Sequence, residues 1–417
     1  MPNEDIEKTL ENELSKFGIK LTRKSNEEIF ETIIERNKLA EIYPLRNLFF
    51  NCINQIKSSV NRDRLVDIVK DYLKDAPYKE ERLDEFKFIY EFYYFYQMEL
   101  FSKEKYGFDY ADMIYYAKAN LNKNKNLVNY DYIIIDEYQD ISEERYELAY
   151  LVADNPNTKV TAVGDDWQTI YSFSGSKIEY IYNFEKYFKG AKLFKITTTY
   201  RNPKDLVKAS SEFIMKNDYQ IKKDLSSPKV FNNSIKFVLY NVNEELSKYE
   251  NITPEDISEI SKFKEIEKLK EVIKLIHEKN PTHNILILAR RNKDIKNLYS
   301  DSFFINDLGT KITIKSIKDL EVDAMSIHKS KGLTADEVIL IGLDEYFPIK
   351  DRNNYWLINL FKSKKIAEPI EDAEERRVFY VALTRTKNSV YILTNKNQKH
   401  RSKFIDELFE LYTKNNI

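Results

Sequence analysis

Apolar residues recur every three to four positions in EEIFETIIERNKLAEIY, in RLVDIVKDYL and in the aromatic stretch after Glu85. No strand-type alternation interrupts them, so the spacing predicts a helical region over residues 1–105. The stretch FKFIYEFYYFYQMELF, residues 86–101, is broken by Lys87, Glu91, Gln97 and Glu99, and its aromatics fall on all sides of a helical projection. That distribution predicts a buried helix rather than a base-stacking surface. From about Tyr106 the pattern changes. YDYIIIDEYQD (130–140), TKVTAVGDD (158–166) and AKLFKITTTYR (191–201) are short apolar runs that end in polar residues, with helical segments between them. The same texture returns at 235–241, 283–291, 323–332, 336–343 and 388–395. Such runs alternating with helices predict a parallel sheet covered on both faces. Residues 371–386, EDAEERRVFYVALTRT, predict a strong helix with Val378, Phe379, Ala382 and Leu383 on one face.

The fold class is therefore α/β. A leading helical piece (1–105) precedes a first α/β stretch (106–205) and a second α/β unit (206–417). The polar segment 248–256 is expected to be a surface loop. No short-period repeat and no Gly/Ser-rich linker occurs.

Composition narrows the partners. The 66 basic and 68 acidic residues leave a net charge of −2, so no broad basic field exists, and any nucleic-acid binding must use a local groove. Aromatics at 14% exclude disorder of the whole chain. The single cysteine, Cys52, has no intramolecular partner, which points to a reducing compartment, with the cytoplasm as the expected location. The first residues lack the apolar core of a signal peptide, and no run of about 18 apolar residues predicts a membrane span.

Ligands of open α/β sheets bind outside the carboxyl ends of strands, and four motifs fall at such ends. Asp136 and Glu137 follow an apolar run. One carboxylate of such a pair suits Mg²⁺ and the other a proton from an attacking water. An ordinary polar strand end is the plainer reading, but unpartnered acids at a buried edge are costly and invite a cation. In VGDDWQTIYSFSG, Gly164 permits a tight turn, and Gln168 is a neutral group suited to a phosphate or a water. Tyr171 and Phe173 stack on bases or belong to the core of the next helix; for Phe173 stacking is the preferred reading. In TTTYRNP, the fork of donors on Arg201 suits a phosphate and Tyr200 a nucleobase, against the alternative of a turn with a surface arginine. Pro203 begins a helix. In SIHKSKGLTADEV, Lys329, Lys331 and Gly332 form either a basic turn for a phosphate backbone or a solvated corner. Arg385 caps its helix or reaches a phosphate.

Taken in order, DEYQDIS, VGDDWQTIYSFSG, TTYR, KGLTAD and EDAEERRVFYVALTR resemble superfamily 1 DNA helicases of the UvrD/Rep type, over about residues 106–400. The resemblance implies two RecA-like P-loop NTPase-type domains, the first incomplete, behind a leading helical subdomain. It implies ATP and Mg²⁺ as cofactors, single-stranded DNA as partner, and 3′-to-5′ translocation. Asp136 and Glu137 match the Mg²⁺ ligand and catalytic base. Gln168 matches the γ-phosphate sensor, and Arg201 and Arg385 match the arginines that neutralise that phosphate. Tyr200 matches the adenine-stacking aromatic, and Gly332 lies in the nucleotide-binding turn. Phe173 matches the aromatic that stacks on single-stranded DNA, with Tyr171 beside it as a further DNA-binding candidate. His328, with Lys329 and Lys331, matches the motif that couples DNA to nucleotide.

The sequence departs from that family at one large point. The phosphate-binding G-x-x-x-x-G-K-[ST] loop is missing, for only Gly18 and Gly107 precede Asp136. The expectation is a C-terminal portion of a longer helicase, with a second polypeptide as a possible source of the phosphate loop. Residues 106–205 would then be poorly stable alone, because a buried strand gains an open edge. Thr334 stands where many relatives carry a ribose-binding Glu, and the short interval from Arg201 to Ser326 leaves no room for the large inserted subdomain of longer relatives. The alternative to an enzyme is a non-catalytic DNA-binding or partner-completing subunit, or an inactive relic.

Overall fold

The computed structural model describes residues 45–59, 64–102, 109–231, 233–247, 253–298, 303–305, 311–314, 317, 320–349, 356–361 and 372–415. The helices expected before residue 45 lie outside these. The chain divides into two compact units, one formed by Met1–Asp165, Tyr171–Tyr187 and Arg352–Ala367, the other by Asp166–Ile170, Phe188–Asp351 and Glu368–Ile417.

In the first unit the helical expectation holds for the described part. Helices α1 (Leu45–Lys57), α2 (Leu65–Leu73) and α3 (Lys79–Ser102) share a core of Cys52, Ile56, Val69, Leu73, Phe86 and Ile89. Leu65, Val66, Val69 and Leu73 are buried at helical spacing, so α2 puts one apolar stripe inward. The aromatic stretch is helical, and Phe86, Phe88 and Ile89 are buried; most side chains beyond Tyr94 lie outside the described residues. A short helix, Trp356–Phe361, closes this core from far along the sequence. Its Trp356 stacks on Tyr72, with centroids 5.3 Å apart and planes 6° off parallel, and its indole N–H donates to Glu85. Buried Lys57 bonds Asp112 at 2.8 Å and also meets Asp109, which caps α4 (Tyr110–Lys123). Ser142 caps α5 (Glu143–Val152).

Strands β1 (Tyr132–Ile135) and β2 (Lys159–Ala162) pair in parallel, with Tyr132 opposite Lys159 and Ile135 opposite Ala162. Here the expected double cover is not met. Tyr132 and Ile134 are 68% and 76% exposed, so one face of this two-stranded sheet carries apolar residues into solvent. The run at 191–201 corrects the sequence expectation in another way, because it forms no strand. A single parallel bridge joins Thr198 to Ser226, and Phe194 and Ile196 are more than 80% exposed. A strand needs a neighbour to satisfy its backbone, and among the described residues this run has only that bridge.

The second unit holds a seven-stranded sheet. Its strands are β3 (Ile235–Tyr240), β4 (Ile285–Ala289), β5 (Phe303–Ile305), β6 (Lys311–Ile314), β7 (Leu320–Ser326), β8 (Ala335–Ile341) and β9 (Thr386–Asn395). The order is β3-β9-β8-β4-β7-β6-β5, with β6 antiparallel to both of its neighbours, β5 and β7, and every other pair parallel. Continuous apolar runs do mean double cover here. Ile287, Ile339 and Tyr391 join a core with Leu269, Ile273 and Ile276, while the intervening Leu288, Leu340 and Ile392, which point to the other face, are equally buried. Helix α6 (Lys204–Ile214) packs against α8 (Ala373–Leu383) and α9 (Lys403–Asn415) through Phe213, Phe379 and Phe404. Helix α7 (Pro254–Lys279) begins inside the segment expected to be a loop, with Thr253 and Asp256 forming a reciprocal cap; residues 248–252 lie outside the described part. The strand expected at 323–332 ends at Ser326, and Ile327–Ser330 turn as one 3-10 helix.

Candidate nucleotide and DNA site

In the first unit, β1 delivers Asp136 and Glu137 to solvent at its carboxyl end. Glu137 has φ 49° and ψ 40°, a left-handed conformation that costs a non-glycine residue energy. What holds it there is Gln139, which is 1% exposed. The Gln139 amide N–H donates to the Glu137 carboxylate, and its carbonyl oxygen accepts from the Asp165 N–H at 3.0 Å. Gly164 makes room for this amide, and Tyr138 N–H donates to Val163 O at 2.8 Å, tying the ends of β1 and β2 together. Asp136 accepts from the Glu137 N–H at 2.8 Å. The two carboxylates suit Mg²⁺, which keeps several waters and takes one or two protein oxygens beside those of a phosphate. Among the described residues no cluster of three or more His, Cys, Asp or Glu is placed to hold a metal by itself.

The aromatic loop also belongs to this unit. Tyr171 is half-buried and Phe173 is 47% exposed; their rings meet edge-on at 5.8 Å. Gln55 of α1 donates to the Phe173 carbonyl at 3.0 Å, so the loop is held by its backbone while the Phe173 ring faces outward. Burial, then Asp140 and Glu137, raise the Tyr171 phenol above its ordinary value.

The second unit gathers Gln168, His328, Lys331 and Arg385. Arg385 is 1% exposed; its Nε donates to Val381 O at 3.0 Å, closing the end of α8, and its Nη2 donates to Gln168 Oε1 at 3.1 Å. Both sequence readings of this arginine, helix cap and phosphate ligand, thus start from one observed position. Lys331 Nζ donates to Gln168 O at 3.0 Å, and Arg377 Nε to Thr169 O at 2.8 Å. His328 bonds the backbone of Ile170. Burial, then the Arg290 charge, push its imidazole down to about 3, so it is neutral at pH 7. Asp166 has no exposure and is met by Lys223 at 2.6 Å and by Gln220 and the Ile221 N–H at 2.7 Å each. Tyr200 is 78% exposed, Arg201 and Lys329 are exposed, and exposed Gly332 turns with φ +84°. Gln139, Asn202 and Arg377 went unassigned in the sequence, although each lies inside a quoted motif, DEYQD, TTTYRNP and AEERRVFYVALTR respectively.

A doubly covered, mostly parallel sheet flanked by helices is the α/β architecture of a RecA-like domain. The profile of the UvrD/REP helicase N-terminal domain matches residues 4–189, and that of the UvrD-like helicase C-terminal domain matches residues 304–397, together about two thirds of the chain. The chain belongs to the UvrD/Rep helicase family. It is 31% identical over 310 residues to DNA helicase IV of Escherichia coli (strain K12), a match that covers 73% of this chain and 39% of that protein. It is 30% identical over 229 residues to the ATP-dependent DNA helicase Rep of Buchnera aphidicola subsp. Acyrthosiphon pisum (strain APS), covering 51% of this chain and 34% of that protein. A probable DNA helicase II homolog of Mycoplasma capricolum is 33% identical over 138 residues, covering 32% and 19%. The chain thus spans about two fifths or less of the length of these relatives. No helix among the described residues is long and apolar enough to cross a membrane.

Proposed function

We propose that the chain is the motor portion of an ATP-dependent 3′-to-5′ DNA helicase or translocase. The observation that carries this reading is the direct bond from Arg385 to Gln168, two residues 217 positions apart. A guanidinium held beside a neutral amide is a pair suited to charge stabilisation during phosphoryl transfer. In this reading Asp136 holds Mg²⁺, which when bound neutralises developing phosphate charge, and Glu137 takes the proton of the attacking water. Gln168 senses the terminal phosphate through its neutral amide. Arg201 and Arg385 neutralise that phosphate, Tyr200 stacks on adenine, and Gly332 gives the nucleotide-facing turn its conformation. Phe173 and Tyr171 meet unstacked bases, and Lys329 takes the DNA backbone. His328 and Lys331, bonded to Ile170 and Gln168, relay between DNA and nucleotide.

The phosphate-binding loop comes from a segment or a second polypeptide outside these 417 residues. The face bearing Tyr132 and Ile134, bare among the described residues, supports this, since the two short strands described there are marginal without added cover. The test is ATP hydrolysis with and without single-stranded DNA, on this chain alone and with such a segment supplied, beside Glu137→Gln. DNA-stimulated turnover that Glu137→Gln abolishes is expected only with the segment present. No turnover in either case would instead favour a non-catalytic DNA-binding subunit.

A further inference from the structure

We propose that Asn202 is a positioning residue whose side-chain amide staples the turn carrying Arg385 to the segment carrying Arg201, and so fixes the spacing of the two guanidinium groups. Asn202 directly follows Arg201 and is 6% exposed. Its Nδ2 donates to Thr384 O at 3.1 Å and to Thr386 O at 2.7 Å, the two carbonyls that flank Arg385. An amide has two N–H bonds in one plane, and both are used. A hydroxyl would supply one, and a carboxylate would supply none and face two carbonyl oxygens. The Asn202 backbone is fixed from the other side, because Ser227 Oγ donates to its carbonyl at 2.7 Å. Neighbouring bonds run the same way. Thr199 N–H donates to Ser226 O at 2.9 Å, and Lys229 reaches Asn388 Oδ1 at 3.1 Å. Segments 197–202, 226–229 and 384–388 are therefore laced together, and Asn202 is the strand of that lacing nearest both arginines.

This matters for the chemistry because Arg201 is exposed and no ion pair among the described residues aims it, whereas Arg385 is fixed by Val381 and Gln168. With Asn202 as the staple, the position of Arg201 is referred to that of Arg385. Two donors aimed at one developing charge contribute fully only when preorganised, and small displacements cost large factors in rate. The inference rests on the reading that both arginines serve the terminal phosphate.

The first test uses the 417-residue chain as it stands. Hydrogen exchange at the Arg385 Nε–H is followed by NMR of ¹⁵N-arginine protein, with the signal assigned from Arg385→Lys. Asn202→Asp is expected to speed that exchange about tenfold, as befits the loss of one or two buried bonds, and Asn202→Gln to speed it less. If Asn202→Asp does not fold by circular dichroism, Asn202→Ser, which keeps one donor, replaces it. The second test is steady-state hydrolysis with the phosphate-loop segment supplied. Asn202→Asp is expected to lower kcat about 10- to 100-fold with the KM for ATP held within about threefold, and to add no further loss to Arg385→Ala. Unchanged exchange, or losses that multiply in the double variant, would overturn the proposal. If the wild type hydrolyses no ATP, the ATPase reading fails by itself, and the exchange measurement still decides whether Asn202 fixes Arg385.

Discussion

A Cβ on Gly164 would lie 2.7 Å from Gln139 Oε1, 3.0 Å from Gln139 N and 3.1 Å from Ile181 Cδ1. The first two atoms belong to the residue that aims Glu137, and the backbone nitrogen cannot swing aside. Gly164→Ala is expected to cost about 1–3 kcal/mol in denaturant unfolding, with the acidic pair displaced. Equal midpoints for the two proteins would show that the amide relaxes freely. A second residue, Glu265, is pushed up to about 8, chiefly by burial. It accepts from the Gly342 N–H at 2.9 Å, while Asp294 and Asp344 oppose its charge and Arg291 favours it; Tyr240 lies close enough to be raised by it. Its folded value lies above the ordinary 4.5, so the folded state holds the proton more tightly. Its stabilisation is complete below pH 4.5 and is lost as pH rises to about 8. Glu265→Gln keeps an oxygen for Gly342 and removes the titration. Its unfolding midpoint is expected to exceed that of the wild type at pH 8 and to flatten the slope between. The charged and aromatic candidates could be proposed from the sequence because their residue types and motifs point to a particular chemistry. Gln139 and Asn202 could not, since a neutral amide acquires its role only from the carbonyls and carboxylates that folding brings to it.

Elements were legible where the apolar pattern fills them. β4 and β8 read as buried strands because every residue of Ile285–Ala289 and five of the seven residues of Ala335–Ile341 are apolar. Helix α7 was missed because the residues it buries, Leu269, Val272, Ile273 and Ile276, fall in its second half, behind a polar start. Its cap, Thr253-Pro-Glu-Asp256, was the readable sign. The run at 191–201 misled for the opposite reason. It has strand composition, but pairing is a property of neighbours, and a pattern along one segment does not reveal whether a neighbour exists. The short helix Trp356–Phe361 has no local signal for where it packs, yet Trp356 is 7% exposed within the helical core. Removing it leaves a cavity beside Tyr72 and strips Glu85 of its indole donor. Trp356→Ala is therefore expected to cost the helical unit about 3–5 kcal/mol. The check is a thermal scan with a helical signal; a loss under 1 kcal/mol would mean that this helix is peripheral to the core.

At the scale of the whole molecule, each unit carries apolar side chains that its described residues leave exposed. In the first unit these include Tyr132 and Ile134, on one face of the β1–β2 sheet; in the second they include Phe194 and Ile196, in the run at 191–201 that pairs only through the Thr198–Ser226 bridge among the described residues. Large exposed apolar groups contribute little to the stability of the chain that bears them, but they favour association. Substitutions at such exposed sites usually change stability by less than about 0.5 kcal/mol. Ile134→Thr and Phe194→Ser are thus expected to leave the unfolding midpoint of the 417-residue chain unchanged. They are expected to raise the concentration at which the chain stays monomeric in sedimentation velocity. The same substitutions are expected to weaken capture of the segment that supplies the phosphate loop, the Ile134 change through the sheet face it would cover. The two measurements separate two causes of exposure. A shift in self-association with unaltered capture would assign these surfaces to contact between copies of the chain. Weakened capture with an unaltered midpoint would assign them to the completing segment. A lowered midpoint would mean that the side chains already have partners in the folded chain, and the case for a missing segment would lose its structural support.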